Sequence, residues 1–333
     1  MKAWPALVAH ADWGSSADKR WLARAELTST GYCAQAPEPV GPPAWLLLRL
    51  AEEAGGGGVF LGLDFPIGLS RAYAAAAGIT SFLALLPHLG TGEWAEFYCP
   101  AERPDQIALR RPFYPLRPGQ ARRQHLLDGL GLSEGAALWR RCDVLTFGRG
   151  AASPLFWTLG ANQSGKAAIS GWRDVLAPAM RAGHPPLALW PFAGPLPTLL
   201  REGRTVAAET YPAECYYHLG LTDGGKRWSK RRQADRAALA PRLLAWAADA
   251  GIGLSPALIA AIRDGFGPGP GGDDPFDAVV GLFGMLNVIL GRRPAGEPED
   301  ATVRDIEGWI LGQSAETAGR AGEAVTTERR SGD

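Results

Sequence analysis

The chain has 333 residues, of which 46% are hydrophobic and 20% charged, a balance that is typical of a globular protein and excludes a fibrous or wholly disordered chain. Its 34 basic and 34 acidic side chains give a formal net charge of zero. Any binding to nucleic acid would therefore depend on local basic patches rather than on the charge of the whole molecule.

Three apolar stretches along the chain each end in an acidic residue. "PALVAHADWGSS" predicts a strand with Asp12 near its carboxyl end. "GGGGVFLGLDFPIGLS" predicts a second strand, residues 59–63, followed by Asp64. "GRTVAAETYPAE" predicts a third strand, residues 206–208, which leads to Glu209. Taken singly, each acid is typical of a turn or a helix cap.

Strands that are apolar on both faces belong in the middle of a sheet covered by helices. In such sheets the functional crevice lies at the carboxyl ends of the strands. Three carboxylates that share this edge would repel one another, and a divalent cation is the simplest way to stabilise them. Because the ligands are hard oxygens, we expect Mg²⁺ or Mn²⁺.

Residues 70–203, between the second and third acidic strands, are too many for an ordinary crossover connection. Stretches such as "ITSFLALLPHLG" and "GWRDVLAPAMRAG" predict a mostly helical insertion that forms a lid or side wall. Within it, "LGANQSGKAAISGW" places Gln163 and Lys166 in a polar loop. Lys166 is a candidate for stabilising charge on a phosphate, and the alternative is a plain loop before a helix.

Two basic stretches are candidates for contact with nucleic acid. "KRWSKRRQADR" offers Lys226, Lys230 and Arg231 for contacts with backbone phosphates, although charge runs are often solvated helix faces. "RRPFYPLRPGQARR" interleaves Phe113 and Tyr114 with arginines, a combination that can stack the bases of a single strand or form a proline-rich surface loop.

"GPGPGGDDPFDAVVGLFGMLNVIL" predicts an apolar helix with Asp274 as its N-cap, Pro275 at the first helical position and Asp277 at the third. Helix capping accounts for both acids. The alternative is that they complete the carboxylate cluster, since residues three apart lie on one helix face. Two metal ions in such a cluster would support phosphodiester hydrolysis.

Five features of the chain together resemble the family called domain of unknown function 429, a predicted RNase H-like nuclease, from about residue 8 to residue 312. They are Asp12, "LDFPIG", "ETYP", "DPFDAVVG" and "EGWI" at residues 307–310. "DPFDA" also resembles the helix motif of RuvC-type junction resolvases. The resemblance implies a hairpin-rich start over residues 6–34, a helix near residues 44–54 and then the strand that ends at Asp64. It also implies metal ligands, which are Asp12, Asp64, Glu209, Asp277 and, less directly, Asp274.

We therefore expect an α/β protein with an RNase H-like mixed sheet flanked by helices and a large, mostly helical insertion. The expected domain spans 1–314, with a core of 1–69 and 204–314, an insertion of 70–203, and a disordered tail of 315–333. The expected function is metal-dependent cleavage of nucleic acid, in which Asp12, Asp64, Glu209, Asp277 and Lys166 are catalytic.

Two alternatives remain open. "DWGSSADKRW" also resembles the first phosphate loop of sugar kinases and actin-like ATPases, which are ATP-dependent phosphotransferases, but these enzymes need a second copy of the fold. A non-catalytic nucleic-acid-binding protein would keep the fold as a platform.

We expect a cytoplasmic protein. The four cysteines are scattered, without the spacing of a zinc site or a disulfide framework. Residues 278–290 form the longest uncharged apolar run, which is shorter than the roughly 20 residues that a membrane-spanning helix needs.

Overall fold

The computed structural model describes residues 4–144, 150–160, 164–201, 203–222, 228–268 and 271–314. The chain divides into two compact units. The first comprises the residues up to Asp64 together with Pro185–Ala188 and Pro195–Ala295, and the second comprises Phe65–His184, Leu189–Gly194 and the chain from Gly296 onward. The predicted boundaries, 1–69, 70–203 and 204–314, divide the chain at different residues. The predicted tail, 315–333, lies outside the described residues.

The described residues form one mixed sheet of eight strands, which confirms an α/β fold. Its strands are β1 (Leu7–Trp13), β2 (Arg20–Thr28), β3 (Gly31–Ala34), β4 (Glu38–Pro39), β5 (Val59–Leu63), β6 (Leu187–Trp190), β7 (Thr205–Glu209) and β8 (Gly253–Leu254). Their order is β6-β7-β5-β1-β2-β3-β8, and β4 pairs with β2. β2 is antiparallel to β1 and β3, whereas β5 is parallel to β1 and β7.

The three strands at the centre of the sheet are those predicted from their apolar runs. Every residue of β1, β5 and β7 is buried, as expected for strands covered on both faces. Ala11 pairs with Leu63, and Leu63 pairs with Glu209. This register brings the carboxyl ends of all three strands to the same edge of the sheet.

Twelve α-helices accompany the sheet in the described part of the chain. They are α1 (Leu46–Glu53), α2 (Arg71–Ala76), α3 (Phe82–Leu85), α4 (Arg123–Leu130), α5 (Ser164–Gly171), α6 (Ala177–Ala182), α7 (Leu196–Arg201), α8 (Pro212–His218), α9 (Gln233–Ala238), α10 (Ala240–Asp249), α11 (Pro256–Asp264) and α12 (Asp273–Ile289). α1 confirms the helix expected near residues 44–54. None of the described helices is both long enough and apolar enough to cross a membrane.

In the first unit, α12 packs on β1, β2 and α8. Two glycines allow this close approach, because a Cβ atom on Gly281 would lie 2.2 Å from the His10 ring and one on Gly284 would lie 2.3 Å from Cys215 Sγ. His10 Nδ1 also lies 3.0 Å from the backbone oxygen of Ala278. α12 begins at Asp273 with Gly272 as its N-cap, so Asp274 is inside the helix and is not the cap that the sequence predicts.

In the second unit, the stretches "LDFPIG" and "EGWI" interlock. Gly68 (φ 129°) and Gly308 (φ 68°) adopt backbone conformations that favour glycine, and a Cβ on either would lie within 2.3 Å of a carbonyl oxygen of the opposite stretch. Glu307 accepts hydrogen bonds from Arg71 Nε (3.0 Å) and from the backbone N–H of Arg141 (2.8 Å). The "EGWI" stretch therefore has a structural role in this unit.

The second unit also has an aromatic core in which Phe97 packs edge-on against Phe113 and Phe156. Phe113 is fully buried and Tyr114 is 3% exposed. Neither ring is accessible for stacking on a base, so that interpretation of "RRPFYPLRPGQARR" is wrong. Phe113 and Tyr114 face the core, whereas Leu116 is exposed and the arginines remain outside the core.

Candidate active site

Three strands place acidic side chains at one edge of the sheet. Asp12 is the penultimate residue of β1, Asp64 follows β5 directly and Glu209 ends β7. The backbone N–H of Asp64 donates to the carbonyl of Ala11 (3.1 Å), which continues the pairing of β5 with β1. Asp12 and Glu209 are buried, and Asp64 is partly exposed although protein atoms surround its carboxyl group.

The first turns of α12 bring further carboxylates to this edge. Asp277 is 2% exposed and interacts electrostatically with both Asp12 and Asp64. Asp274 is partly buried and also acts on Asp12. We call Asp12, Asp64 and Asp277 the acidic cluster, with Glu209 and Asp274 at its margins. Its members come from three elements that are distant in sequence.

Asp277 has two hydrogen-bond donors. The Tyr216 hydroxyl on α8 donates to its Oδ1 atom, and the Lys230 ammonium donates to its Oδ2 atom. The Lys230 side chain is 43% exposed, so the ammonium enters the cluster from the solvent side. One carboxylate is thereby held in place from two directions, and the cluster has a cation of its own.

Aromatic rings enclose the inner side of this arrangement. Tyr216 packs edge-on against Trp228 (5.0 Å between ring centroids) and stacks on Phe276 (6.0 Å). These rings limit access of water to the acidic cluster. Burial therefore disfavours the charged form of each carboxyl group there.

The pKa values of the cluster are shifted in the direction that this environment predicts. Burial, followed by repulsion from Asp277, raises the pKa of Asp64 to about 7. The pKa of Asp12 rises well above its ordinary value because of burial and then of Asp277 and Asp64. Burial also raises the pKa of Asp277, against the opposing effects of Lys230 and Tyr216. The pKa of Asp274 rises to about 6, mainly through burial.

Lys230 shows the complementary effect. Partial burial lowers the pKa of its ammonium, but the carboxylates of Asp277, Asp12 and Asp64 raise it further, and the net shift is upward. Lys230 is therefore charged at neutral pH. One ammonium faces three carboxyl groups, so the cluster can hold a proton near pH 7.

A buried arginine holds the segments that carry these groups. Arg236, at the end of the basic run, is fully buried. Its guanidinium donates to the carbonyl oxygens of Gly265 (2.7 Å), Gly267 (2.8 Å) and Lys230. Because Gly265 and Gly267 precede α12, Arg236 ties the Lys230 turn to the chain that leads into the helix of Asp277.

A metal site requires the carboxylates to point at one position. Within the described ranges, no group of three or more His, Cys, Asp or Glu side chains is arranged to hold a metal ion. The donor chemistry nevertheless fits a hard divalent cation, because the ligands would be carboxylate oxygens. The ammonium of Lys230 already occupies a position for a cation beside Asp277.

The remaining predicted residues occupy different places. Lys166 lies on α5 in the second unit and is partly exposed. Arg231 is exposed beside Lys230. The ammonium of Lys230 itself contacts the carboxylate of Asp277. Lys226 and Gln163 lie outside the described residues.

Sequence reasoning missed Tyr216 and Arg236. The signal for Tyr216 is its place on the helix that directly follows Glu209, so that it remains near the strand edge. The signal for Arg236 is weaker, since nothing in a basic run distinguishes a buried arginine from a solvated one.

Comparison of the chain with known proteins found no match: no family model, no curated protein and no solved structure is similar to it.

Proposed function

We propose that this protein is a metal-dependent nuclease-like hydrolase that cleaves phosphodiester bonds of nucleic acid. The observation that carries the proposal is the acidic cluster, in which Asp12, Asp64 and Asp277 meet from β1, β5 and α12 and disfavour one another's charged forms. Buried like charges are costly in a protein unless they are paired or bind a metal ion. The position of the cluster, at the carboxyl ends of parallel strands, is where ligands bind in open α/β sheets.

The proposal includes an RNase H-like fold with a helical insertion over residues 70–203. Support comes from the strand order β3-β2-β1-β5-β7. In this order β1, β2 and β3 pair antiparallel as two hairpins, and β5 and β7 run parallel to β1. The hairpin-rich start and the helix before β5 also agree with what the resemblance to the domain of unknown function 429 family implies.

In this proposal Asp12, Asp64 and Asp277 would hold Mg²⁺ or Mn²⁺, assisted by Glu209 and Asp274. Such an ion lowers the pKa of bound water and neutralises charge on the phosphate. Tyr216 fixes the Oδ1 atom of Asp277.

Because the pKa of Asp64 is about 7 without metal, binding of the ion would displace a proton from this carboxyl group at neutral pH. Lys226, Lys230 and Arg231 are proposed to contact phosphates of the substrate.

A kinase-like or actin-like phosphotransferase is the second candidate, with less support. Such enzymes need two copies of the fold, whereas all strands in the described part of the chain belong to one sheet. The proposed phosphate loop between β1 and β2 is also occupied by its own chain, since Arg20 Nε donates to the carbonyl of Gly14 (3.0 Å).

The test is cleavage of single- and double-stranded DNA and RNA with Mg²⁺, Mn²⁺ or a chelator. We expect metal-dependent cleavage that falls by more than about 100-fold in Asp12→Asn and Asp277→Asn, because even residues that only orient metal ligands contribute about 10- to 100-fold. Asp264→Asn, on the exposed face of α11, is the control for loss of one carboxylate.

Wild-type protein that binds nucleic acid without cleaving any of the four substrates would favour the non-catalytic alternative. Equal cleavage by wild type and Asp277→Asn would show that Asp277 is only a structural residue of α12, and the proposed mechanism would be wrong.

A further inference from the structure

The second unit contains a surface cleft of about 480 Å³ that lies between the turn before α4 and the loop around residues 102–106. This volume is within the range of about 300–1,000 Å³ that is usual for small-molecule sites. The lining combines charged side chains with three prolines and the edge of Tyr114. The cleft thus offers both polar groups and flat apolar surface.

Positive charge dominates the polar part of the lining. Arg117 and Arg122 are exposed, and neither guanidinium has a carboxylate partner within the part of the chain that the structure describes. Arg103 lines the same cleft and pairs with Asp105 (Nη2 to Oδ2, 3.0 Å). Glu102 is the acidic residue of the lining. Two unpaired arginines facing one concave surface attract an anion.

A histidine in the same wall is oriented as a hydrogen-bond donor. His125 Nδ1 lies 3.0 Å from the Tyr114 hydroxyl and 3.4 Å from the backbone nitrogen of Arg122. The backbone N–H can only donate, so Nδ1 is the acceptor and the neutral ring carries its proton on Nε2. That N–H is then available to a ligand.

We propose that this cleft binds a phosphate-bearing ligand of nucleotide size, with Arg117 and Arg122 pairing with the phosphate and His125 donating a hydrogen bond. Guanidinium groups match the several oxygens of a phosphate bidentately, which a single lysine cannot do. The prolines provide the apolar wall for the remainder of the ligand. Only residues of the second unit are used, so this inference stands independently of the proposed function.

The experiment is isothermal titration calorimetry of the full chain with 5′-AMP, adenosine, inorganic phosphate and the oligonucleotide dT10. We expect AMP or dT10 to bind, and adenosine to bind at least about tenfold more weakly because it lacks the charge-assisted hydrogen bonds of the phosphate. Arg117→Gln and Arg122→Gln should each weaken binding by at least about threefold, and together by at least about tenfold.

Arg263→Gln, an exposed arginine of α11 in the first unit, is the control for loss of one positive charge and should bind as wild type does. Circular dichroism verifies that the variants fold, as expected for exposed positions. Tighter binding of dT10 than of AMP would identify a phosphate within a strand as the ligand, and the reverse would identify a free nucleotide. Absence of binding by AMP, phosphate and dT10, or unchanged affinity in the double variant, would overturn the proposal.

Discussion

At the scale of single residues, Lys230 supplies the positive charge that opposes repulsion within the acidic cluster. Its ammonium contacts Asp277 and interacts with Asp12 and Asp64. Without Lys230, these three carboxyl groups would face one another with no cation among the described residues. A lysine in this position is at once a counter-ion for the metal-free protein and a competitor for any divalent cation at Asp277.

We predict that Lys230→Met lowers the free energy of unfolding by about 1–3 kcal/mol at pH 8 without divalent ions. This range lies between the contributions of exposed and fully buried ion pairs, because the lysine is partly exposed and the aspartate is buried. Added Mg²⁺ should stabilise the variant more than it stabilises wild type, since the competing ammonium is gone. Chemical denaturation with and without Mg²⁺ measures both effects.

Arg231→Met is the matched control, because Arg231 is an exposed neighbour in the same turn. If the two variants have equal stability and equal responses to Mg²⁺, Lys230 is not the counter-ion of the cluster.

At the scale of elements, α12 must lie very close to β1 for Asp277 to reach the cluster. Gly281 and Gly284 remove the side chains that would hold the helix away from His10 and Cys215. His10 is fully buried, burial lowers its pKa to about 3, and it is therefore neutral in the interface.

We predict that Gly281→Ala lowers the free energy of unfolding by about 1–3 kcal/mol, the usual result of overpacking, even though alanine favours helix by about 1 kcal/mol. The added Cβ would lie 2.2 Å from His10 Nε2. A double-mutant cycle with His10→Ala isolates this contact, and we expect the glycine substitution to be much less harmful in that background. Additive effects of the two substitutions would contradict the proposed packing.

At the scale of the whole molecule, the raised pKa of Asp64 makes stability depend on pH. The pKa of this carboxyl is about 7 in the folded protein and about 4 in an unfolded chain. Between these values the folded state binds the proton more tightly, so stability falls as pH rises from about 4 to about 7 and levels off above that. The difference of three units corresponds to at most about 4 kcal/mol.

We therefore predict that Asp64→Asn, which cannot ionise, is increasingly more stable than wild type as pH rises from 5 to 8 in the presence of a chelator. At pH 5 the variant should already be more stable by about 1 kcal/mol, because Asp64 ionises near pH 4 in the unfolded wild type while it stays protonated in the folded protein, and the difference should approach about 4 kcal/mol at pH 8. Urea denaturation at pH 5, 6, 7 and 8 measures the difference. A stability difference that stays constant over this range would mean that the pKa of Asp64 is not raised.

The sequence alone determined the central strands and their acids. The uninterrupted apolar runs at residues 59–63 and 206–208 predict burial on both faces, and Asp64 and Glu209 follow these runs directly in the chain. The apolar character of the helix carrying Asp277 is equally local, although its first residue was predicted two positions too late. Such features are predictable because they depend on neighbours in the chain.

Only the tertiary structure decided which groups meet. Tyr216 and Lys230 contact Asp277 across 61 and 47 residues of sequence, and nothing in a basic run indicates which lysine turns inward. The same holds for Arg236, which is buried, and for Phe113, which faces a core rather than a base. The physical reason is that a side chain's partner depends on how distant elements pack, and residue type and spacing specify only the elements themselves.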